Sequence, residues 1–320
     1  MKLVVLDGYA LNSGDLSWKE FAKLGELKVY DRTPYTDTAE ILRRIGDAEI
    51  VFTNKTPLEQ QVIEQAPNLR YIGVLATGYN VIDLEAAAKK KITVTNVPAY
   101  GTEAVAQAVF ALLLEITNQV SLHSNAVHTG EWTKNPDFTF RKTPLIELSG
   151  KTFGLIGFGR IAQATAQIAH AMGMKVIFYN HRPKEINKPW IRQVPLDELL
   201  AQADIISLHI PQTKTTTNFI NQEKITKMRN GVILLNTARG GLLNEKDVAA
   251  ALNSGKIFAA GVDVVSTEPI SSDNPLLTAK NCFITPHIAW APVETRERLL
   301  QICLANVKAF LTGETKNNII

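Results

Sequence analysis

The sequence predicts an α/β protein of two doubly wound parallel-sheet domains, one inserted into the other. Three observations carry this. Short apolar runs alternate with amphipathic stretches along most of the chain, as expected for parallel strands covered on both faces by helices. A glycine-rich turn, Gly157-Phe158-Gly159-Arg160-Ile161-Ala162, follows one such run. That turn lies mid-chain, after about 150 residues, roughly enough for a domain of their own.

Composition sets the bounds. With 320 residues, 45% hydrophobic and 20% charged, the chain suits two globular domains with full cores. A net charge of +3 is too small to indicate nucleic acid. Lys89-Lys90-Lys91 closes an Ala-rich helix, where cations are favoured. Cys282 and Cys303 form neither a disulfide framework nor a metal-ligand cluster, so a cytoplasmic protein with buried thiols and no metal is expected. Asp7 and Gly8 cut off the first apolar run, which reads as a strand and not a signal peptide. The apolar stretch 104–116 carries Gln107 and Glu115 and is too short to span a bilayer.

The elements follow in order. Strands are expected at 3–6, 50–53, 71–75 and 92–95, with helices at 38–44, 58–65 and 83–89 between them. Pro98-Ala99-Tyr100-Gly101 is a turn, and Thr102 is placed to cap a long helix to Ser121. That helix is apolar around much of its circumference, which predicts burial between layers or in a homodimer contact. Residues 130–144, with Trp132, Phe138 and Phe140, read as a packed loop. Beyond the glycine turn, strands are expected at 175–179, 204–209, 232–235, 259–264 and 283–285, and a last helix at 292–311. These elements divide the chain into a discontinuous domain, 1–101 plus 292–320, and an inserted domain, 102–291, with a ligand cleft between them.

The glycine turn has the form G-x-G-x-x-G/A, which binds dinucleotides in a Rossmann fold. Gly157 makes the tight turn, Gly159 admits a pyrophosphate, and Ala162 lets helix and strand pack closely. The helix-start N–H groups at Arg160 and Ile161 face the phosphates. Three further residues lie just past predicted strand ends: Arg239 in Asn236-Thr237-Ala238-Arg239-Gly240, Glu268 in the run from Asp263 to Pro269, and His287 in Thr285-Pro286-His287. Ligands of open α/β sheets bind beyond the carboxyl ends of the strands, so one crevice can receive all three. His123, His128 and His170 read as surface or packing residues, and His209 as a structural residue near the cofactor crevice.

Taken with Ala76-Thr77-Gly78-Tyr79-Asn80, these motifs resemble, over nearly the full length, the D-isomer-specific 2-hydroxyacid dehydrogenases, and most closely their glycerate dehydrogenase/hydroxypyruvate reductase branch. The resemblance implies a flavodoxin-like substrate domain into which the Rossmann domain is inserted. It also implies hydride transfer between a nicotinamide and a small 2-keto acid. His287 would donate the proton, Glu268 would hold its other ring nitrogen and fix the tautomer, and Arg239 would grip the substrate carboxylate in two parallel bonds. Backbone N–H groups around Thr77, Gly78 and Tyr79 would complete the carboxylate site, and Trp290 would help close it. Asp263 and the Ala238 carbonyl would meet the nicotinamide amide, with Thr102 beside its phosphate.

Cofactor choice turns on Asn180-His181-Arg182. Asn180 stands where the family's NAD enzymes carry Asp, and Arg182 and Lys184 follow, so NADP is expected, with NAD the alternative. The expected substrate is hydroxypyruvate or glyoxylate. Pyruvate or a bulkier keto acid, and a non-catalytic NAD(H)-sensing role like that of a corepressor, remain open alternatives.

Overall fold

The computed structural model describes residues 1–320, which form two compact units: Met1–Gly101 with Trp290–Ile320, and Thr102–Ala289. Trp290 and Ala291, expected in the inserted domain, thus fall in the first unit.

In the first unit the order is β1 (Lys2–Val5), α1 (Lys19–Ala22), β2 (Glu26–Val29), α2 (Thr38–Ile45), β3 (Ile50–Thr53), α3 (Gln60–Gln65), β4 (Tyr71–Val74), α4 (Leu84–Lys89) and β5 (Thr93–Thr95). The sheet is all parallel, in the order β2-β1-β3-β4-β5. Successive side chains on a strand point to opposite faces, and both faces here are covered. Val4, Leu6, Val51 and Ile72 pack with Ile41, Ile63 and Ala87 of the helices on one side. Leu3, Val5, Phe52 and Tyr71 pack on the other with Leu299, Cys303 and Val307 of the C-terminal helix Val293–Leu311. Burial therefore explains the continuous apolar runs. Asp37 and Asp83 cap α2 and α4 by accepting the N–H of Glu40 and Ala86, as Asp does at helix starts. Strand β2 was not expected: at the sheet edge, its Glu26-Leu27-Lys28-Val29 is half exposed and lacks an apolar run.

The second unit opens with α5 (Thr102–Asn118) and α6 (Val120–His128). The single expected helix breaks at Gln119, whose φ of 43° is left-handed, and the two parts bend by 54°. The Thr117 carbonyl at the break accepts the N–H of Ile146. Then follow β6 (Thr152–Ile156), α7 (Arg160–Ala171), β7 (Lys175–Tyr179), β8 (Ile191–Gln193), α8 (Leu196–Gln202), β9 (Ile205–Leu208), α9 (Gln222–Lys227), β10 (Val232–Asn236), α10 (Glu245–Ser254), β11 (Ile257–Val262) and β12 (Cys282–Ile284). Their sheet is parallel, ordered β12-β11-β10-β9-β6-β7-β8. The strand order reverses between β6 and β9, and a crevice opens at such a point beyond the strand ends.

Phe110 of α5 stacks on Phe153 of β6 at 5.7 Å, and Val109, Phe110, Leu112, Leu113 and Ile116 of α5 belong to the core of its own unit. The loop 130–144 is not packed as expected: Trp132 is 51% and Phe138 90% exposed. No single helix is long and apolar enough to cross a membrane, although the bent pair α5–α6 together is.

Candidate active site

The glycine turn sits at the switch point. β6 delivers Gly157 at φ +92°, where its N–H donates to the Tyr179 carbonyl at 2.8 Å. A side chain at Gly157 would lie 2.6 Å from the His209 carbonyl oxygen, so both conformation and space demand glycine. Behind the turn, the His209 imidazole lies 2.9 Å from the Ser207 hydroxyl, and burial pushes it down to about 3. It is a neutral support and not a proton donor. Gly159 caps α7 in an extended conformation with no side-chain cap, and a methyl group there would touch nothing within 4 Å. Arg160 and Ile161 open the helix. Ala162, Ala166 and Ala169 are buried and bring it close to the sheet. The uncapped helix start and the open space before it suit a pyrophosphate.

After β7, the Asn180 Nδ2 donates to the Arg182 carbonyl at 2.9 Å, while His181 and Arg182 are exposed. The ammonium of Lys184 turns back and donates to the Phe158 carbonyl at 2.8 Å. It is engaged by the glycine turn rather than standing free beside Arg182.

His287 and Glu268 are brought together: Nδ1 lies 2.7 Å from the Glu268 Oε2. The other nitrogen, Nε2, has no protein partner. His287 itself has φ +55°, an uncommon conformation for a residue with a side chain. Asp263, 2% exposed, holds it there. One carboxylate oxygen accepts the Thr285 hydroxyl at 2.6 Å and the Ile288 N–H at 2.9 Å, and the other accepts the Ala289 N–H at 2.9 Å. The Asp263 carbonyl takes the His287 N–H at 2.8 Å. Three donors of the histidine turn engage the Asp263 carboxylate, which still has acceptor capacity left for the expected nicotinamide contact.

Arg239 belongs to a turn built by Asn236. The fully buried Asn236 side chain donates to the Arg239 carbonyl at 2.9 Å and accepts the Ala238 N–H at 3.0 Å. The exposed guanidinium donates to the Ala238 carbonyl at 2.7 Å, the oxygen expected to meet a nicotinamide amide. The Arg239 turn touches the segment leading to Glu268, because a methyl group on Gly240 would lie 1.8 Å from the Val265 carbonyl carbon. The Thr237 hydroxyl is buried without a partner. Such a group is costly, and a ligand at the end of β10 would satisfy it. An uncapped helix start, an open glycine cradle and this orphaned hydroxyl at one end of the sheet fit a dinucleotide.

Sequence reasoning quoted Asn236, Thr237, Gly240 and Thr285 as members of the motifs but gave none of them a role. The signal for Asn236 was a polar residue closing an otherwise apolar strand. No group of His, Cys, Asp or Glu is arranged to hold a metal ion.

In the first unit, the Thr77 hydroxyl donates to the Val97 carbonyl at 2.7 Å, and the Thr77 carbonyl accepts the Asn96 amide at 2.8 Å. These bonds shape the turn after β4 and leave the N–H groups of Thr77, Gly78 and Tyr79 without protein acceptors. Trp290 packs with the cluster around Leu299 and Leu300.

Known proteins resemble the chain along its whole length. The model of the D-isomer specific 2-hydroxyacid dehydrogenase NAD binding domain matches residues 110–289. A hydroxypyruvate reductase of Blautia hydrogenotrophica is 56% identical over 318 residues, covering 99% of each chain. A glycerate dehydrogenase of Methylorubrum extorquens is 37% identical, covering 99% of this chain and 98% of its own. Among solved structures, an acyclic imino acid reductase in complex with NADPH and D-Arg is 30% identical with a TM-score of 0.87, covering 100% of both chains. The chain belongs to the D-isomer specific 2-hydroxyacid dehydrogenase family of oxidoreductases, and its second unit carries that family's NAD binding domain.

Proposed function

We propose that the protein reduces a small 2-keto acid of the hydroxypyruvate or glyoxylate type to the D-2-hydroxy acid, reversibly, and that it favours NADPH over NADH. The observation that carries this reading is the His287–Glu268 pair, 2.7 Å apart at the end of the nucleotide-binding sheet. A bound reduced nicotinamide supplies the hydride to the keto carbon. His287 supplies the proton: Glu268 holds Nδ1, so Nε2 is the atom that delivers it to the ketone oxygen and recovers it in reverse. The left-handed turn at His287 is kept by Asp263, which acts through position rather than proton transfer.

Arg239 exchanges its bond to the Ala238 carbonyl for two parallel bonds to the substrate carboxylate. That exchange also frees the Ala238 oxygen for a nicotinamide amide, with Thr102 beside the phosphate. The open N–H groups of Thr77, Gly78 and Tyr79 suit a carboxylate, and Trp290 is the residue proposed to help close the substrate pocket. The names of the two relatives above support hydroxypyruvate as the first substrate to test. With saturating NADPH, hydroxypyruvate or glyoxylate should give the highest kcat/KM in a panel that includes pyruvate and bulkier keto acids. Tight cofactor binding with no turnover of any member would favour the NAD(H)-sensing role instead.

NADPH is favoured because Asn180 is neutral and Arg182 and His181 are exposed beside it. A carboxylate at residue 180 would repel a 2′-phosphate and accept a bond from a ribose hydroxyl. Asn180→Asp should therefore shift the ratio of NADPH to NADH efficiency about tenfold towards NADH, a change of about 1.4 kcal/mol. An unmoved ratio would place 2′ recognition elsewhere.

A homodimer is also proposed, with the exposed apolar stretch that follows α5 added to the expected contact of that helix. The exposed apolar residues Val120 (63%), Trp132 (51%), Phe138 (90%) and Leu145 (55%) lie within one stretch, and apolar exposure of this kind marks an interaction surface. Sedimentation should find a dimer that Val120→Asp with Phe138→Asp converts to monomer, and a monomeric wild type would contradict this. Both cysteines are free thiols, which supports a reducing cytoplasm.

A further inference from the structure

The loop between β7 and β8 is where cofactor choice is proposed, and one side chain ties its backbone down. Gln193, the last residue of β8, engages three main-chain groups. Its Nε2 donates to the Asn180 carbonyl at 3.1 Å and to the Arg182 carbonyl at 3.2 Å. Its Oε1 accepts the Lys184 N–H at 2.9 Å. A side-chain amide is both donor and acceptor, so carboxylate or ammonium groups could not make this set. The Asn180 amide adds its own bond to the Arg182 carbonyl. Lys184 then joins the loop to the glycine turn through the Phe158 carbonyl. The far arm is anchored as well: the Trp190 ring stacks on His170 of α7, with centroids 4.3 Å apart and planes 4° from parallel. His181 and Arg182 are exposed between the Asn180 and Lys184 ties.

We propose that Gln193 is a positioning residue for cofactor selection. It holds the backbone of Asn180–Arg182 in one conformation, so that Arg182 is already placed for the group on the ribose 2′ carbon. Lys184 serves as a strut to the glycine turn and is not a phosphate ligand. The proposal rests on the reading that this turn meets the 2′ group. A turn ordered in advance avoids an ordering cost at binding. Without Gln193 the turn has only the Asn180 bond to close it, and that cost falls on the ligand that needs Arg182.

The test uses the full chain and two half-cofactors, 2′,5′-ADP and 5′-AMP, with affinities measured by titration calorimetry. Gln193→Ala should weaken 2′,5′-ADP about tenfold and 5′-AMP by less than about threefold. In an Arg182→Ala background, the same substitution should cause no further loss for 2′,5′-ADP, because Gln193 acts through Arg182. Should Gln193→Ala fold poorly, the near-isosteric Gln193→Met carries the same expectation. Wild-type affinity for 2′,5′-ADP, an equal loss for both ligands, or losses that multiply with Arg182→Ala would overturn the proposal. The underlying 2′-phosphate reading fails by a separate result: Arg182→Ala alone binding 2′,5′-ADP as the wild type does.

Discussion

His287→Ala should lower kcat for keto-acid reduction about 10³-fold, within the range for removing a positioned general acid. The Kd for NADPH should stay within about twofold, because the glycine turn and the 180–184 loop lie on other strand ends and do not involve the imidazole. Steady-state kinetics with a separate cofactor titration distinguishes the two quantities. The physical basis is the pairing of His287 Nδ1 with the Glu268 carboxylate at 2.7 Å, which leaves Nε2 as the only nitrogen able to reach a substrate oxygen. Glu268→Gln should act in the same direction but less severely, since an amide oxygen can still accept from Nδ1 and orient the ring, though more weakly than a carboxylate. If His287→Ala turned over hydroxypyruvate at the wild-type rate, another residue would be the acid.

Gly240→Ala should be the most disruptive single methyl group in the site. Its Cβ would lie 1.8 Å from the Val265 carbonyl carbon, 1.9 Å from its oxygen and 2.5 Å from the Ser266 nitrogen. All three are main-chain atoms, so no side-chain rotation relieves the clash. Either the Arg239 turn or the segment leading to Glu268 must move by more than about 1 Å, a displacement that can reduce catalysis about 10²-fold. Overpacking adds about 1–3 kcal/mol of destabilisation. The expected result is a lower melting temperature together with a fall in kcat/KM of about 10²-fold. A variant with unchanged melting and unchanged kcat/KM would show that the two turns are not in the contact described.

Legibility differed between elements for physical reasons. β3 is buried at every position, so its residues had to be apolar on both faces, and a run of such residues is visible in one dimension. β2 and β8 each lie at one edge of their sheets. One face of each is partly exposed, their composition is mixed, and nothing local distinguishes them from loop. α5 shows the reverse error. Its apolar composition continues past Asn118, but the left-handed Gln119 ends it, at a point where the Thr117 carbonyl is claimed by Ile146 from a distant segment. The exposed aromatic residues at 132 and 138 were equally illegible, because an aromatic residue in a sequence does not say whether its own chain covers it.

The sequence by itself determined the alternation of strand and helix, the glycine turn at the dinucleotide site, and the residue types needed for proton transfer and carboxylate binding. These are local properties, set by side-chain chemistry and by neighbours a few positions away. Only the tertiary structure decided how those residues are held. Asp263 reaches across 22–26 residues to Thr285, Ile288 and Ala289 to keep His287 left-handed. Gly240 is required by the backbone at Val265 and Ser266. Lys184 looked like a free cation beside Arg182, yet it is bonded to the Phe158 carbonyl 26 positions away. Each is a contact between strand ends that parallel pairing brings together, and no spacing along the chain encodes it.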